Sequence, residues 1–167
     1  MEEASRRYEK HYRESIVIPA TVQDVFDYVD DQAKYYSHVL GFTRLLGGTM
    51  DLQADQGHGQ AIDSHIRLTG KVLGASLSLE EKVTQREPPH SKSWETVGTP
   101  SFLIVGHYRY GVHVRPLGGG AVLDISFDFS PPTGSGPVRL LLSRIYGRIC
   151  AREMATSTRN HFTKRRR

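Results

Sequence analysis

The sequence LSLEEKVTQREPPHSKSWETVG, Leu77–Gly98, predicts two antiparallel β-strands joined by a turn. Apolar and polar residues alternate in its first half, as they do in a strand with one buried face. Pro88 and Pro89 interrupt the pattern and mark the turn, and the chain returns through Trp94, its only tryptophan. Glu81 shares a face with the apolar side chains, so the alternation predicts a carboxylate directed towards the interior.

A second hairpin downstream has the same one-sided character. The strand His107–Pro116 places Tyr108 and Tyr110 on one face and basic side chains on the other. Glycines in the LGGG sequence that follows favour a tight turn, because glycine adopts positive φ without steric cost. The returning strand, Ala121–Phe129, places Phe127 on an apolar face. Such strands predict an antiparallel sheet with one buried face and one face towards solvent.

The chain before these hairpins predicts one strand, two short helices and further strands. Tyr12–Pro19 is rich in β-branched residues and ends at a proline. Thr21 is suited to cap the first helix, with Asp24 three residues later. A second short helix is predicted from Ala33 to Val39. Two strand-rich segments then follow, Phe42–Ala54 and Gln60–Gly74.

One long helix closes the chain, from Pro137 to Phe162. Its large aliphatic residues recur at helical spacing and predict an apolar stripe: Val138, Leu141, Leu142, Ile145 and Ile149. We expect this stripe to cover the apolar face of the sheet, because a one-sided sheet must bury that face against another element.

The composition predicts a single domain. The 167 residues are enough for one core, which we place at residues 13–162, followed by a basic tail at residues 163–167. No apolar run approaches the roughly 20 residues that span a bilayer, and the charged N-terminus is not a secretory signal. Cys150 is the only cysteine, which excludes an internal disulfide and favours a reducing, cytoplasmic setting.

Positive charge is concentrated at the C-terminal end. From Arg139 onwards there are nine lysines and arginines and a single acid, Glu153, whereas the preceding residues carry a net negative charge. A basic end of this kind can contact an anionic surface. The alternative is a surface helix whose cations favour solubility and interact with the helix dipole.

Three segments resemble the START/Bet v 1-like, or SRPBCC, superfamily. ESIVIPATVQDVFDYVDDQAKYYSHV, Glu14–Val39, is similar to its opening strand and helices, and Leu77–Gly98 is similar to its central hairpin. RPLGGGAVLDISFDF, Arg115–Phe129, is similar to the last hairpin before its closing helix. The resemblance, which extends from Arg13 to Phe162, implies an α+β helix-grip fold. In that fold a curved antiparallel sheet of about seven strands wraps around a long C-terminal helix, with two short helices after the first strand.

The same resemblance implies a cavity between the concave face of the sheet and the C-terminal helix. Members of the superfamily include lipid and sterol carriers, plant hormone binders, quinone-binding proteins and polyketide aromatase/cyclases. They usually carry an aromatic residue where this chain has Leu79, which implies a roomier groove here. We expect a ligand to meet these residues: Ser64, Leu79, Trp94, Tyr108, Tyr110, Phe127, Ile145 and Arg152.

Motifs for several other chemistries are absent from the sequence. No segment has the Gly-Lys-Ser/Thr ending of a phosphate-binding loop or the full dinucleotide-binding spacing. There is no HExxH pair, a lone cysteine cannot build a thiolate metal site, and no GxSxG elbow is present. We therefore predict neither a metal nor a cofactor. His107 and His113 fall on the solvent face, where pairing with Asp124 and Asp128 of the next strand is expected.

Each candidate polar residue has a structural alternative. A buried Glu81 would suit a general acid or base, because burial raises a carboxyl pKa; a β-bulge would instead turn it to water. Tyr108 and Tyr110 combine an apolar ring with a hydroxyl suited to a ligand, or simply pack in the core. Arg152 can clamp a carboxylate or phosphate at the cavity mouth, or lie along the surface. Ser64 is a smaller polar point on the apolar face.

Three functions are compatible with these observations. The first is binding of a small hydrophobic ligand: a lipid, an isoprenoid, a quinone or a polyketide-like molecule. The alternative is a polyketide-type aromatase/cyclase or dehydratase in the same cavity, with Glu81, Tyr108 or Tyr110 as proton-transfer groups. The third is peripheral contact of the basic sequence TKRRR, Thr163–Arg167, with an anionic surface. Sequence-specific nucleic-acid binding is not expected, because no basic strand is interleaved with aromatic residues.

Overall fold

The computed structural model describes residues 8–45, 47–72, 74–101, 104–134 and 136–164, with the backbone alone at residues 38–43, 45 and 72. These ranges form, in chain order, β1 (Lys10–Ile18), α1 (Val22–Asp30), α2 (Gln32–Leu45), β2 (Thr49–Ala54), β3 (His65–Val72), β4 (Ala75–Glu87), β5 (Ser91–Ser101), β6 (Tyr108–Leu117), β7 (Gly120–Phe129) and α3 (Pro137–Lys164).

Seven of these elements form one curved antiparallel sheet in the order β1-β7-β6-β5-β4-β3-β2. After β1 the chain crosses through α1 and α2 to the opposite edge of the sheet, and then returns strand by strand until β7 pairs with β1. The long helix α3 follows β7 and contacts β1 and β7. This arrangement is the helix-grip fold that the sequence resemblance implies, and the expectation is confirmed.

Thr21 caps α1 as the sequence predicts. Its Oγ1 accepts a hydrogen bond from the backbone amide of Asp24 at 3.1 Å, which satisfies one of the free amides of the first turn. The helix ends at Asp30, which is buried and accepts hydrogen bonds from the Arg86 guanidinium at 2.8 and 3.0 Å. These contacts fix the end of α1 against β4.

The boundary predicted for the segment Phe42–Ala54 is wrong. Helix α2 continues through Leu45, and β2 occupies only Thr49–Ala54. Short apolar runs are compatible with either a helix or a strand, so their hydrophobicity does not fix the boundary. Gly47 does, because it adopts a φ of 69° and its amide donates to the carbonyl of Arg44 at 3.0 Å, as glycines do just beyond helix ends.

Helix α3 approaches the sheet through small side chains. Tyr12 of β1 and Phe129 of β7 stack with ring centroids 5.8 Å apart and form a platform beneath Gly147. A Cβ on Gly147 would lie 2.3 Å from Phe129 Cε1 and 2.9 Å from Tyr12 Cε2, so only glycine allows this approach. The buried residues of the helix are Ser143, Gly147, Ala151, Met154, Ala155 and Thr158.

The prediction that the aliphatic stripe of α3 covers the sheet is wrong. Its five members are between 47% and 69% exposed: Val138, Leu141, Leu142, Ile145 and Ile149. At about 100° per residue they lie on the side of the helix opposite Gly147. Large aliphatic side chains would hold the helix away from the aromatic platform, whereas the small face lets it settle there. Helical spacing identifies the stripe but not the direction in which it faces.

Candidate functional site

A cavity of about 60 Å³ lies between the inner face of the sheet and helices α2 and α3. Strands β2, β3 and β4 contribute aliphatic side chains to it, and β6 and β7 contribute aromatic ones. Its wall consists of Tyr36, Met50, Leu68, Leu77, Leu79, Val105, Tyr108, Tyr110, Phe127, Tyr146, Cys150 and Met154. The wall is mostly apolar, and the tyrosine hydroxyls are its main polar groups.

Trp94 lies behind the cavity wall. Its indole ring stacks on Tyr110 with centroids 4.9 Å apart, and its Nε1 donates to the Tyr36 hydroxyl at 2.9 Å. Tyr35 meets the rings of Trp94 and Tyr110 edge-on, and its hydroxyl lies 3.2 Å from that of Tyr110. Aromatic rings packed edge-on and in offset stacks restrict each other's orientation. Trp94 therefore holds the wall tyrosines in place from behind.

Glu81 is fully buried behind two of the wall tyrosines. In the sheet it pairs with Ile66 of β3 and Thr96 of β5. Its Oε1 accepts a hydrogen bond from the Tyr36 hydroxyl at 2.7 Å and another from the Tyr108 hydroxyl. Its Oε2 has no hydrogen-bond partner among the described residues. Only one of the two carboxyl oxygens is therefore hydrogen-bonded, and the tyrosine hydroxyls separate the carboxyl group from the cavity.

Two adjacent glutamates of β4 have opposite environments. Register shifts against β5 lie on both sides of Glu81, yet they do not turn it to solvent. Glu80 faces the other side of the sheet, where it pairs with His65 at 2.6 Å and Arg67 at 3.1 Å. The strand alternation that predicts an inward Glu81 therefore persists through the irregular pairing.

Burial raises the pKa of Glu81 to about 7, because the ionised form loses its hydration inside the protein. The hydrogen bonds from Tyr108 and Tyr36 favour the ionised form and limit the shift. Burial and the nearby Glu81 carboxylate raise the pKa of both tyrosines well above its ordinary value, so both hydroxyls stay protonated. Near neutral pH, protonated and ionised Glu81 are both populated.

A buried polar chain connects Glu81 with the end of α1. Lys92 of β5 is fully buried, and its Nζ donates to Gln32 Oε1 at 2.9 Å and to the carbonyl of Asp30 at 2.8 Å. Burial lowers the pKa of Lys92, and the attraction of Asp30 opposes that shift. Gln32 also favours the ionised form of Glu81, although its Nε2 has no hydrogen-bond partner among the described residues. Gln32 therefore acts on Glu81 by proximity and not through a well-formed hydrogen bond.

Sequence reasoning missed Tyr36, Gln32 and Lys92 as parts of this site. The two α2 residues carry no signal of their own, because their approach to Glu81 depends on how α2 docks on the sheet. Lys92 did carry one: it has the same strand parity as Trp94 and Thr96, and all three side chains are buried. A lysine on the inner face of a strand must be paired, which predicts a carboxylate nearby.

The residues expected to meet a ligand divide into three groups. Four lie on the cavity wall: Leu79, Tyr108, Tyr110 and Phe127. Trp94 supports that wall from behind. Ser64 lies away from the cavity, where its hydroxyl donates to Asp55 at 2.5 Å and accepts from the Gly59 amide at 2.8 Å. It stabilises the loop between β2 and β3.

Ile145 and Arg152, also expected to meet a ligand, are not among the residues that line the cavity. Both are exposed on the outer side of α3, for the packing reason given above. The α3 residues on the wall are Tyr146, Cys150 and Met154. Burial raises the pKa of Cys150 to about 12, so its thiol is neutral at ordinary pH. That state agrees with a packing role for the cysteine and not with a nucleophilic one.

The solvent face of the sheet carries ion pairs. Asp128 is only 2% exposed and lies within 2.9 Å of His11, 2.7 Å of Arg13 and 3.3 Å of Arg109. Burial alone would raise the pKa of Asp128, but hydrogen bonds from Arg13 and His11 outweigh it and hold the pKa below its usual value.

The two histidines predicted on this face differ in their partners. His113 Nδ1 lies 3.9 Å from Asp124, whereas His107 Nδ1 lies 3.2 Å from the Thr96 hydroxyl. Within the described ranges, no three histidine, cysteine, aspartate or glutamate side chains are grouped so as to hold a metal ion.

A family model described as polyketide cyclase/dehydrase and lipid transport matches residues 9–159. The chain belongs to this family. The match spans the whole sheet and most of α3, and it confirms the resemblance to the SRPBCC superfamily. No curated protein matches the chain in sequence. In the part of the chain that the structure describes, no helix has both the length and the apolarity required to cross a membrane.

Solved structures of this fold are similar over nearly the whole chain. Ara h 8.0201 has a TM-score of 0.65 and 10% identity, over 93% of this chain and 98% of that chain. Norcoclaurine synthase from Thalictrum flavum, in complex with dopamine and hydroxybenzaldehyde, has a TM-score of 0.63 and 15% identity, over 95% of this chain and 88% of that chain. Aha1 from Colwellia psychrerythraea has a TM-score of 0.57 and 10% identity, over 92% and 96%. At these identities the similarity concerns the fold.

Proposed function

We propose that this family member binds a small hydrophobic molecule with a polar oxygen in the cavity between the sheet and α3. The observation that carries the proposal is the composition of the wall, an apolar and aromatic surface whose hydroxyls, on Tyr36 and Tyr108, are backed by the buried carboxyl of Glu81. Binding sites for small molecules combine an apolar lining with a few convergent polar groups.

The size of the cavity favours a compact ligand. An engineered cavity that binds benzene has a volume of about 150 Å³, so the 60 Å³ found here must widen to take a ring of that size. Met50 and Met154 lie on the wall and can move with little cost, because methionine is unbranched and flexible. Among the ligand classes expected from the sequence, a ring with carbonyl or hydroxyl oxygens, as in a quinone or polyketide-like molecule, fits this space better than a long lipid or isoprenoid chain.

Binding can be followed at the indole N–H of Trp94, which gives a single NMR signal and donates to the wall residue Tyr36. We expect 4-methylphenol to shift this signal saturably and to bind about five- to tenfold more tightly than toluene, which lacks the hydroxyl. Leu79→Phe narrows the cavity and should weaken binding. Leu117→Phe changes an exposed leucine at the end of β6 and should not weaken binding. No shift with either compound, or equal binding by the two variants, would contradict the proposal.

A second candidate function, proton transfer in a cyclase or dehydratase reaction, is favoured by one observation. Burial places the pKa of Glu81 at about 7, where a carboxyl group can both accept and donate a proton at neutral pH. In this scheme the Tyr108 hydroxyl takes a proton from an enolisable ligand as it passes its own proton to Glu81. Neither the ligand nor its product needs a cofactor for that step.

Solvent exchange of an enolisable ring ketone tests this second function. The protein should accelerate loss of the α-deuterons of labelled 2-tetralone, with a midpoint near pH 7 that reflects the pKa of Glu81. Glu81→Gln and Tyr108→Phe should abolish the acceleration. Tyr110→Phe removes a wall hydroxyl that contacts Tyr35 and not Glu81, so it serves as the matched control. Equal exchange with the wild type and Glu81→Gln would exclude proton transfer by this group.

Two expectations from the sequence stay predictions. Peripheral contact of the basic tail with an anionic surface concerns residues 163–167, of which 165–167 lie outside the described residues. The cytoplasmic setting rests on the single cysteine, Cys150.

A further inference from the structure

The outer side of α3 carries an apolar surface that the fold does not use. We call it the outer stripe, and it consists of Val138, Leu141, Leu142, Ile145 and Ile149, which are 69%, 58%, 47%, 47% and 52% exposed. The stripe extends about 17 Å along the helix at 1.5 Å per residue. Single exposed aliphatic residues are ordinary, but a continuous row of five is typical of a surface that contacts an apolar partner.

Arginines border the outer stripe. Arg144, Arg148 and Arg152 follow one another at intervals of four residues, so they lie along one edge of it, and Arg139 lies towards the other edge. All four side chains are exposed. The arginine ion pairs between described residues involve other arginines, on the strands of the sheet. Glu153 is the single acid of the helix. Residues 138–152 of α3 therefore combine exposed aliphatic side chains with an excess of positive charge.

The arginines that border the outer stripe indicate which kind of partner it binds. A second copy of the chain, docked stripe to stripe about a two-fold axis, would bring two sets of arginines together without acids to neutralise them. An anionic bilayer complements both the arginines and the aliphatic side chains. Phosphates at its surface pair with arginines, and the acyl chains below accept aliphatic side chains. The opposite side of α3 stays packed on Tyr12 and Phe129. The helix can therefore lie on a membrane surface without leaving the sheet.

We propose that the outer stripe and its arginines dock the protein peripherally on anionic membranes, with α3 parallel to the surface. This surface is separate from the basic tail, since Val138 and Lys164 are at opposite ends of the helix. It is also independent of the proposed ligand site, because its side chains face away from the cavity. Docking would place the α3 wall of the cavity next to the bilayer.

Vesicle co-sedimentation of the full chain tests the proposal. The wild type should bind vesicles of equal parts phosphatidylcholine and phosphatidylglycerol at least about tenfold more tightly than vesicles of pure phosphatidylcholine. Leu142→Glu combined with Ile145→Glu should reduce binding to the mixed vesicles by at least about tenfold. Leu117→Glu is the matched control, because it charges an exposed leucine far from α3 in sequence and should bind like the wild type.

A separate variant tests the contribution of the arginines that border the outer stripe. Arg144→Gln, Arg148→Gln and Arg152→Gln together should remove the preference for anionic vesicles and the weakening of binding by added salt. Removal of residues 164–167 should leave most of the binding intact, and Glu81→Gln should leave all of it. Thermal unfolding should be unchanged in the stripe and arginine variants, since the substituted side chains are exposed.

Several results would overturn the proposal. One is a wild type that does not sediment with the mixed vesicles. Another is full binding by the stripe variant, with loss only when residues 164–167 are removed, which would assign the binding to the tail. A third is a dimer of the wild type in sedimentation velocity that Ile145→Glu dissociates, which would assign the outer stripe to a second copy of the chain.

Discussion

Glu81 and Asp128 are two carboxylates buried in the same sheet, at 0% and 2% exposure, and their pKa values shift in opposite directions. Asp128 faces the outer side, where His11, Arg13 and Arg109 surround it and its pKa is held below the usual value. Glu81 faces the inner side, where its direct partners are neutral tyrosine hydroxyls and burial raises its pKa to about 7.

The difference shows that charge partners, and not burial alone, decide what a buried carboxylate does. The cations around Asp128 keep it ionised at ordinary pH, so its role is that of a structural ion-pair partner. No cation is hydrogen-bonded to Glu81 among the described residues, and the attraction of Lys92 is outweighed by burial, which leaves a carboxyl group that exchanges a proton near neutrality, beside a cavity. Perturbed groups of the second kind are typical of functional sites.

The largest expected effect is on the pH dependence of stability. The pKa of Glu81 is about 7 in the folded protein and 4.5 in the unfolded chain, so the folded state holds its proton more tightly. The free energy of unfolding should therefore fall by about 3 kcal/mol as pH rises through this window. Urea unfolding should show that Glu81→Gln lacks this fall. Glu80→Gln, at the adjacent half-buried position on the outer face, should keep it. A fall shared by all three proteins would assign the effect elsewhere.

The second effect concerns the outer carboxylate. Asp128→Asn should lower the free energy of unfolding at pH 7 by about 1 to 2 kcal/mol, a modest value because Arg13 and Arg109 are half exposed. The pKa of Asp128 is lowered by folding, so its contribution is present above the unfolded value of 3.8 and is lost as pH falls through the folded value. Asp124→Asn, at a more exposed ion pair, should cost less. An Asp128→Asn protein as stable as the wild type at pH 7 would contradict this account.

The third effect isolates one hydrogen bond of Glu81. Tyr108→Phe removes a donor that favours the ionised carboxylate, so the midpoint of the Glu81 titration should rise by about one pH unit. Tyr110→Phe removes a hydroxyl that contacts Tyr35, and should leave the midpoint unchanged. The midpoint can be read from unfolding free energies or from carboxyl NMR signals. A downward shift in Tyr108→Phe would show that the hydroxyl does not donate to Glu81.

The smallest effect is that of salt. Added salt screens the half-exposed arginines around Asp128, so the acid limb of the stability profile should move slightly towards higher pH. The Glu81 midpoint should not move, because its direct partners are neutral and enclosed. Unfolding profiles at low and high ionic strength make the comparison. A salt-dependent Glu81 midpoint would mean that the group is open to solvent or governed by a cation.

Much of the sheet was predictable because strand alternation is a local signal. It placed Glu81, Tyr110 and Phe127 on the inner face, and glycine and proline marked the turns around them. The helices were less predictable. Helical spacing revealed the aliphatic stripe of α3, but its outward direction follows from the contact of Gly147 with two aromatic rings that are distant in sequence.

The candidate site was predictable only in part, for the same reason. Glu81 of β4 and Tyr108 of β6 both fall on the apolar face of an alternating strand, so parity places both of them inside. Tyr36 and Gln32 come from α2, and their approach to Glu81 depends on how that helix docks. Parity alone also marks Ser64 as inward, whereas a local hydrogen bond to Asp55 holds it in a loop away from the cavity. Long-range packing decides such cases, and no short sequence pattern contains it.

The most direct test is an NMR titration of the glutamate side-chain carboxyls, with Glu81→Gln to assign the signal. The account predicts that Glu81 titrates with a midpoint near pH 7, far above the ordinary 4.5, and that the wall-binding probe 4-methylphenol shifts this midpoint. A midpoint at or below 4.5 would contradict it, because such a carboxylate would be ionised and charge-paired like Asp128.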